Sequence, residues 1–66
     1  MRKVLISDFK FIPEGHRIYR VIYTSPVTGG RWTAFVTDMA LINATKNSEN
    51  PKRKDLENLK RICKNK

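Results

Sequence analysis

The stretch from Tyr19 to Val36 constrains this chain most, because two runs of β-branched and aromatic residues flank the loop Ser25-Pro26-Val27-Thr28-Gly29-Gly30. Pro26 fixes one backbone φ and the paired glycines permit the positive φ that a tight reversal needs, so the two runs are expected to fold back as a β-hairpin. Placing Ser25 opposite Gly30 sets Tyr23 against Trp32, Val21 against Ala34 and Tyr19 against Val36, which makes one face of the ribbon apolar. A slip of one residue would turn that whole set outward, so the pattern itself selects the register. The other face then carries Thr24 with Arg31, Ile22 with Thr33, Arg20 with Phe35 and Ile18 with Thr37, a mixture of apolar and cationic groups.

Ahead of this hairpin, residues 2–12 alternate as a first strand, and Ile12-Pro13-Glu14-Gly15-His16 has the proline and glycine of a three-residue hairpin loop with a bulge. Setting Ile12 opposite His16 puts Phe9 by Tyr19, Ser7 by Val21 and Leu5 by Tyr23, so the apolar face continues across strands at 2–12, 16–25 and 30–37. Asp38 can then cap a short helix over 38–45. After the polar break Asn47-Ser48-Glu49-Asn50, Pro51 suits a first helical position with Asn50 as its cap, opening a last helix over 51–64. Leu56, Leu59, Ile62 and Cys63 form its apolar stripe at spacings of three and four. The fold class this implies is α+β: a three-stranded antiparallel β-meander packed on one face by the C-terminal helix, with a short helix between the third strand and the last helix. Trp32 is expected at the centre of that core, between the sheet and Leu56, Leu59 and Ile62.

A chain of 66 residues makes one small domain, spanning residues 1–66, that buries only about 60% of its unfolded surface. Its 14 Lys and Arg against 6 Asp and Glu give a formal net charge of +8, which favours polyanionic partners. Residues 46–66 alone hold eight of those cations against three acids, with Lys60, Arg61, Lys64 and Lys66 gathered at the carboxyl end. The single cysteine, Cys63, cannot close an internal disulfide, and a domain this small from an oxidising compartment usually carries several, so a cytoplasmic setting is expected. No apolar run approaches the ~20 residues of a membrane span. Catalysis is not expected either. His16 has no second imidazole or thiol with which to hold a metal, Cys63 reads as a small core hydrophobe, and Gly29-Gly30 is too short for a phosphate-binding loop. Neither a cofactor, a metal nor a small-molecule substrate is implied.

The order of three antiparallel strands followed by a helix, over residues 3–64, is similar in outline to the sheet-reading DNA-binding domains, such as the amino-terminal domain of some phage and transposon integrases and the plant AP2 type. That resemblance lies in the architecture, since no diagnostic string of either family stands in the chain, and it implies a free sheet face that enters the major groove while the helix backs it. The residues lead to a small, basic, non-enzymatic binding protein, first of all a nucleic-acid-binding accessory or regulatory module for DNA or RNA. Lys10, Arg20, Arg31 and Thr33 would then read from the sheet, with Asp8 steadying Arg20, while Lys60, Arg61 and Lys64 neutralise phosphates. The alternative is a protein-interaction module or homodimer in which the exposed apolar residues Ile6, Ile18, Ile22 and Phe35 meet a partner. Placing the basic last helix on anionic lipid ranks below both, because the core needs its apolar stripe.

Overall fold

The computed structural model describes residues 4–65 and has the α+β architecture expected. Strands β1 (Phe9–Gly15), β2 (Ile18–Thr24) and β3 (Arg31–Val36) form one antiparallel sheet in the order β1-β2-β3, followed by helices α1 (Met39–Thr45) and α2 (Arg53–Lys64). The β2–β3 register is the one the alternation selects, with Tyr23 opposite Trp32, Val21 opposite Ala34 and Tyr19 opposite Val36. The loop that fixes it is tightly bonded: the Ser25 N–H donates to the Gly30 carbonyl at 2.8 Å and the Gly29 N–H to the Ser25 carbonyl at 2.9 Å. Gly29 supplies the positive φ, at 76°. Gly30 has a different reason: a Cβ there would lie 3.1 Å from Cη2 of the Trp32 ring, which would have to give way by a few tenths of an ångström.

The first hairpin departs from expectation. Pro13, Glu14 and Gly15 do not turn the chain but belong to β1, which pairs Phe9 with Tyr23, Phe11 with Val21 and Pro13 with Tyr19, then slips across a bulge to set Gly15 against Ile18. The reversal falls instead at His16-Arg17, where Arg17 takes φ 61°. Relative to the expected register β1 is displaced by four residues, an even number. Phe9 and Phe11 therefore keep the apolar face, but every cross-strand neighbour changes. The chain ahead of Phe9 is freed from the sheet. The Leu5 carbonyl accepts from the Asp8 N–H at 3.0 Å while the Asp8 carboxylate accepts from the Leu5 N–H at 3.1 Å, closing a 3-10 turn over Ile6–Asp8 that drops Val4 into the core. Arg2 and Lys3, the start of the expected first strand, lie outside the described residues, as does Lys66.

Asp38 caps α1 as expected, its carboxylate accepting from the Leu41 N–H at 3.1 Å, and Ile42 and Thr45 are the residues α1 buries. The Thr45 hydroxyl meets its need inside the helix by donating to the Leu41 carbonyl at 2.9 Å. Helix α2 starts two residues later than expected, with Lys52 and not Asn50 at its cap: Lys52 is extended, and its carbonyl is the one that accepts the first bonds of the helix, from the Asp55 and Leu56 N–H groups at 3.1 Å each. Its Leu56, Leu59 and Cys63 join Val4, Phe9, Val21, Tyr23, Ala34, Val36 and Ile42 in one core on the inner face of the sheet. Two core expectations are corrected. Ile62 is left out of that core and is 37% exposed, and Trp32 is only half-buried, stacked on Tyr23 at 5.8 Å between ring centroids and lying beside that core and not at its centre.

Candidate functional site

With both helices contributing to the inner-face core, the opposite face of the sheet has no element packed on it among the described residues. Its rows follow from the registers. Ile12, Arg20 and Phe35 lie side by side across the sheet; Lys10, Ile22 and Thr33 form the next row; Thr24 and Arg31 close the end nearest the 25–30 loop. Lys10, Arg31, Thr33 and Phe35 are exposed, Phe35 by 57%, while Ile12, Ile18, Arg20 and Ile22 are half-buried by one another. An aromatic ring with isoleucines and Arg20 near it, and Lys10 and Arg31 toward the loop end, is thus presented on the strand scaffold.

The displaced register changes the partner of Arg20. Asp8 is engaged in the 3-10 turn, and the carboxylate that reaches Arg20 is Glu14, whose Oε2 lies 2.7 Å from Nε. The Arg20 Nε–H is not aligned on that oxygen, so the contact is ionic and not a directed hydrogen bond. Both side chains remain partly solvated, by 42% and 31%, which limits what the pair adds to stability to about 1 kcal/mol or less. Its consequence is electrostatic: Glu14 offsets Arg20, and the uncompensated cations of this face, among the described residues, are Lys10 and Arg31.

The structure does not gather the expected nucleic-acid residues into one footprint. Lys10, Arg20, Arg31 and Thr33 share the open face, whereas Lys60, Arg61 and Lys64 belong to α2, on the far side of the sheet. Lys60 and Lys64 reach back over aromatic rings of the inner face, their ammonium groups 5.9 Å from the Tyr23 centroid and 4.7 Å from the Trp32 centroid. Arg61 looks outward beside Arg53, Lys54, Glu57 and Asn58 along the exposed side of the helix. Of the expected apolar interface, Ile18, Ile22 and Phe35 are on the open face, but Ile6 is not: the 3-10 turn packs it against the core. Ile12 takes up the place beside Arg20 and Phe35. Sequence reasoning missed Ile12 and Glu14 for one reason, that Pro13 and Gly15 resemble turn residues more than strand residues.

Among the described residues no three His, Cys, Asp or Glu side chains converge as metal ligands, and no helix is long and apolar enough to cross a membrane. Cys63 is fully buried, its thiol donating to the Val21 carbonyl at 3.6 Å, and burial pushes its pKa up against the smaller opposing effect of a backbone hydrogen bond at Tyr23. A thiol held neutral in this way is a poor nucleophile. No family model, no curated protein and no solved structure matches this chain.

Proposed function

We propose that this protein is a nucleic-acid-binding module that uses the open face of its sheet, and that it binds strands whose bases are accessible. The observation that carries the reading is Phe35, exposed by 57% on a face where the described residues include the cations Lys10, Arg20 and Arg31 and the carboxylate of Glu14. A base stacked on such a ring contributes about 1–3 kcal/mol, and Lys10 and Arg31, one and two rows nearer the 25–30 loop, stand where they can meet the phosphates of a strand running from the ring toward that loop. Thr33, one row from Phe35, adds a hydroxyl and a methyl without blocking the ring. The cations of α2 lie on the other layer, away from this face, and add to the general field of a protein of net charge +8, which speeds encounter with any polyanion.

The test is binding of a labelled oligonucleotide by fluorescence anisotropy at several salt concentrations. Phe35→Ala should weaken binding roughly 5- to 150-fold, the affinity equivalent of one missing base stack. Lys10→Ala with Arg31→Ala should both weaken binding and flatten its salt dependence, by a slope of about 0.7 for each phosphate of a single strand that is no longer neutralised. Lys54→Ala with Arg61→Ala removes the same charge from the opposite layer and should do distinctly less. Phe35→Ala binding as the parent does, with the two charge pairs equivalent, would leave only non-specific attraction and end the sheet-face reading.

One further observation favours a second reading, association through protein. Since the Ser25 N–H donates to the Gly30 carbonyl across the ladder, the alternation of an antiparallel pair turns the N–H and C=O groups of Arg31, Thr33 and Phe35 away from β2, along the outer edge of the sheet. Such an edge can accept another strand. Sedimentation at tens of micromolar separates the readings: a dimer that Phe35→Ala dissociates puts the open face in a protein interface, and a monomer leaves it to nucleic acid.

A further inference from the structure

On the helix side of the molecule a small cavity of about 90 Å³ opens between the 25–30 loop and the last turns of α2, lined by Tyr23, Ser25, Pro26, Val27, Lys60 and Lys64, with Val4 at its margin. At about 30 Å³ per water, it holds some three waters, or one tetrahedral oxyanion. Among the described residues its lining includes two lysines and no acidic residue.

The two lysines are brought together by the aromatic pair beneath them. Tyr23 and Trp32 stack at 28° between ring planes, and each carries one ammonium, Lys60 and Lys64 respectively. Four residues apart on one helix, these like charges repel each other. The helix neighbours of Lys64 within the described residues, Lys60 and Arg61, are both cations, and the nearest carboxylate on the helix, Glu57, is engaged with Arg53 at 3.3 Å. The α2 carboxyl end offsets only about half a charge. From the loop side, the Ser25 Oγ accepts from the Val27 N–H at 3.2 Å and from the Thr28 N–H at 3.3 Å. With both lone pairs engaged, its own proton is left to donate. Pro26 and the bonds across the loop hold that hydroxyl in place.

We propose that this cavity binds a phosphate monoester, held by the Lys60 and Lys64 ammonium groups and the Ser25 hydroxyl. A monoester is close to a dianion at neutral pH and matches two ammonium groups. A diester in the middle of a strand carries one charge and is flanked by two sugars, for which the cavity has no room. The monoester can come from a free metabolite or from the 5′-phosphorylated end of a nucleic-acid strand. The site lies on the layer opposite Phe35 and stands or falls independently of the sheet-face reading.

Trp32 is the chain's one tryptophan and carries the Lys64 ammonium on its ring, so its fluorescence reports on the site directly. The full chain is titrated at constant ionic strength with ribose 5-phosphate, with dimethyl phosphate as the diester control, and with one oligothymidine bearing either a 5′-phosphate or a 5′-hydroxyl. Calorimetry runs in parallel, because Lys64→Gln alters the reporter as well as the site. Saturable binding of ribose 5-phosphate, at least tenfold weaker in Lys60→Gln and in Lys64→Gln but unchanged in Lys54→Gln and Phe35→Ala, establishes a site for free monoesters. At least tenfold preference for the 5′-phosphorylated oligonucleotide, abolished in the same two variants, assigns the site to strand ends. Non-saturating responses, equal binding of the diester, or insensitivity to both lysine variants overturns the proposal.

Discussion

Leu59 and Ile62 lie three residues apart on α2 and are equivalent by spacing alone, yet the fold separates them: Leu59 is fully buried and Ile62 is 37% exposed. Leu59→Ala deletes a side chain that sits in the core formed with Val21, Tyr23 and Ala34, and its cost combines lost transfer energy with the cavity left behind. Substitutions of this kind cost about 2–5 kcal/mol. Net stability for a chain of 66 residues is on the order of 3–10 kcal/mol, so this one change removes about a fifth of it or more. Ile62→Ala should cost only about 1 kcal/mol, because 37% of the residue is already exposed and alanine is the better helix former by a few tenths. Urea unfolding followed together by far-ultraviolet circular dichroism and Trp32 fluorescence makes the comparison. With a slope near 1 kcal/mol per molar for so small a domain, the Leu59→Ala midpoint should drop by about 2 M or more and that of Ile62→Ala by only about 1 M. Equal losses at the two positions would mean that α2 presents a different face to the sheet than the one described.

What could be read ahead of the structure depended on whether the residue types that mark a feature also carry it. The β2–β3 hairpin was legible because Pro26, Gly29 and Gly30 do the turning and the flanking residues alternate without interruption. The first hairpin was not, because its most turn-like residues, Pro13 and Gly15, form a bulged strand end, while the reversal uses His16 and an arginine at positive φ. Pro13 is tolerated there for a reason the ladder supplies: the alternation that bonds Lys10 and Ile12 to β2 points position 13 out of the sheet edge, where no N–H is needed. The side chains of Phe9 to Ile12, ahead of the bulge, still fall on the expected faces because the displacement is even. Face membership therefore survived where neighbour identity did not, and so Lys10, Arg31, Thr33, Ile22 and Phe35 were placed together correctly while the partner of Arg20 was not. Sequence also could not show that the cations of α2 and those of the sheet lie on opposite layers, since a charge count has no direction. The pairing of Lys60 and Lys64 with Tyr23 and Trp32 had a usable signal, an i, i+4 lysine pair on a helix expected to cover an aromatic face.

Two remaining outcomes test the interior and the turns. Cys63, whose pKa burial raises above 9.0, should contribute stability that is complete below about pH 9 and is lost as pH rises through its folded pKa. Cys63→Ala should therefore lose stability less steeply above pH 9 than the parent, and the native thiol should react with a thiol reagent only at the rate of opening. The turn at His16-Arg17 is tested by Arg17→Gly. An L-residue at φ 61° is strained by about 1–2 kcal/mol, which glycine relieves, while the greater freedom of glycine in the unfolded chain costs about 0.5–1 kcal/mol. The balance should stabilise the protein by about 0.5–1 kcal/mol, read as a raised urea midpoint at unchanged slope. Gly29→Ala should act in the opposite direction by a similar amount, because its φ of 76° demands the left-handed region although nothing lies within 4 Å of the added methyl. The arginine substitution also discriminates between the two possible first hairpins. With the reversal at Pro13-Glu14-Gly15, position 17 would be an ordinary strand residue and glycine there would destabilise; a lowered midpoint for Arg17→Gly would thus move the turn, restore Asp8 as the neighbour of Arg20, and dissolve the row of Ile12, Arg20 and Phe35 on which the open face is built.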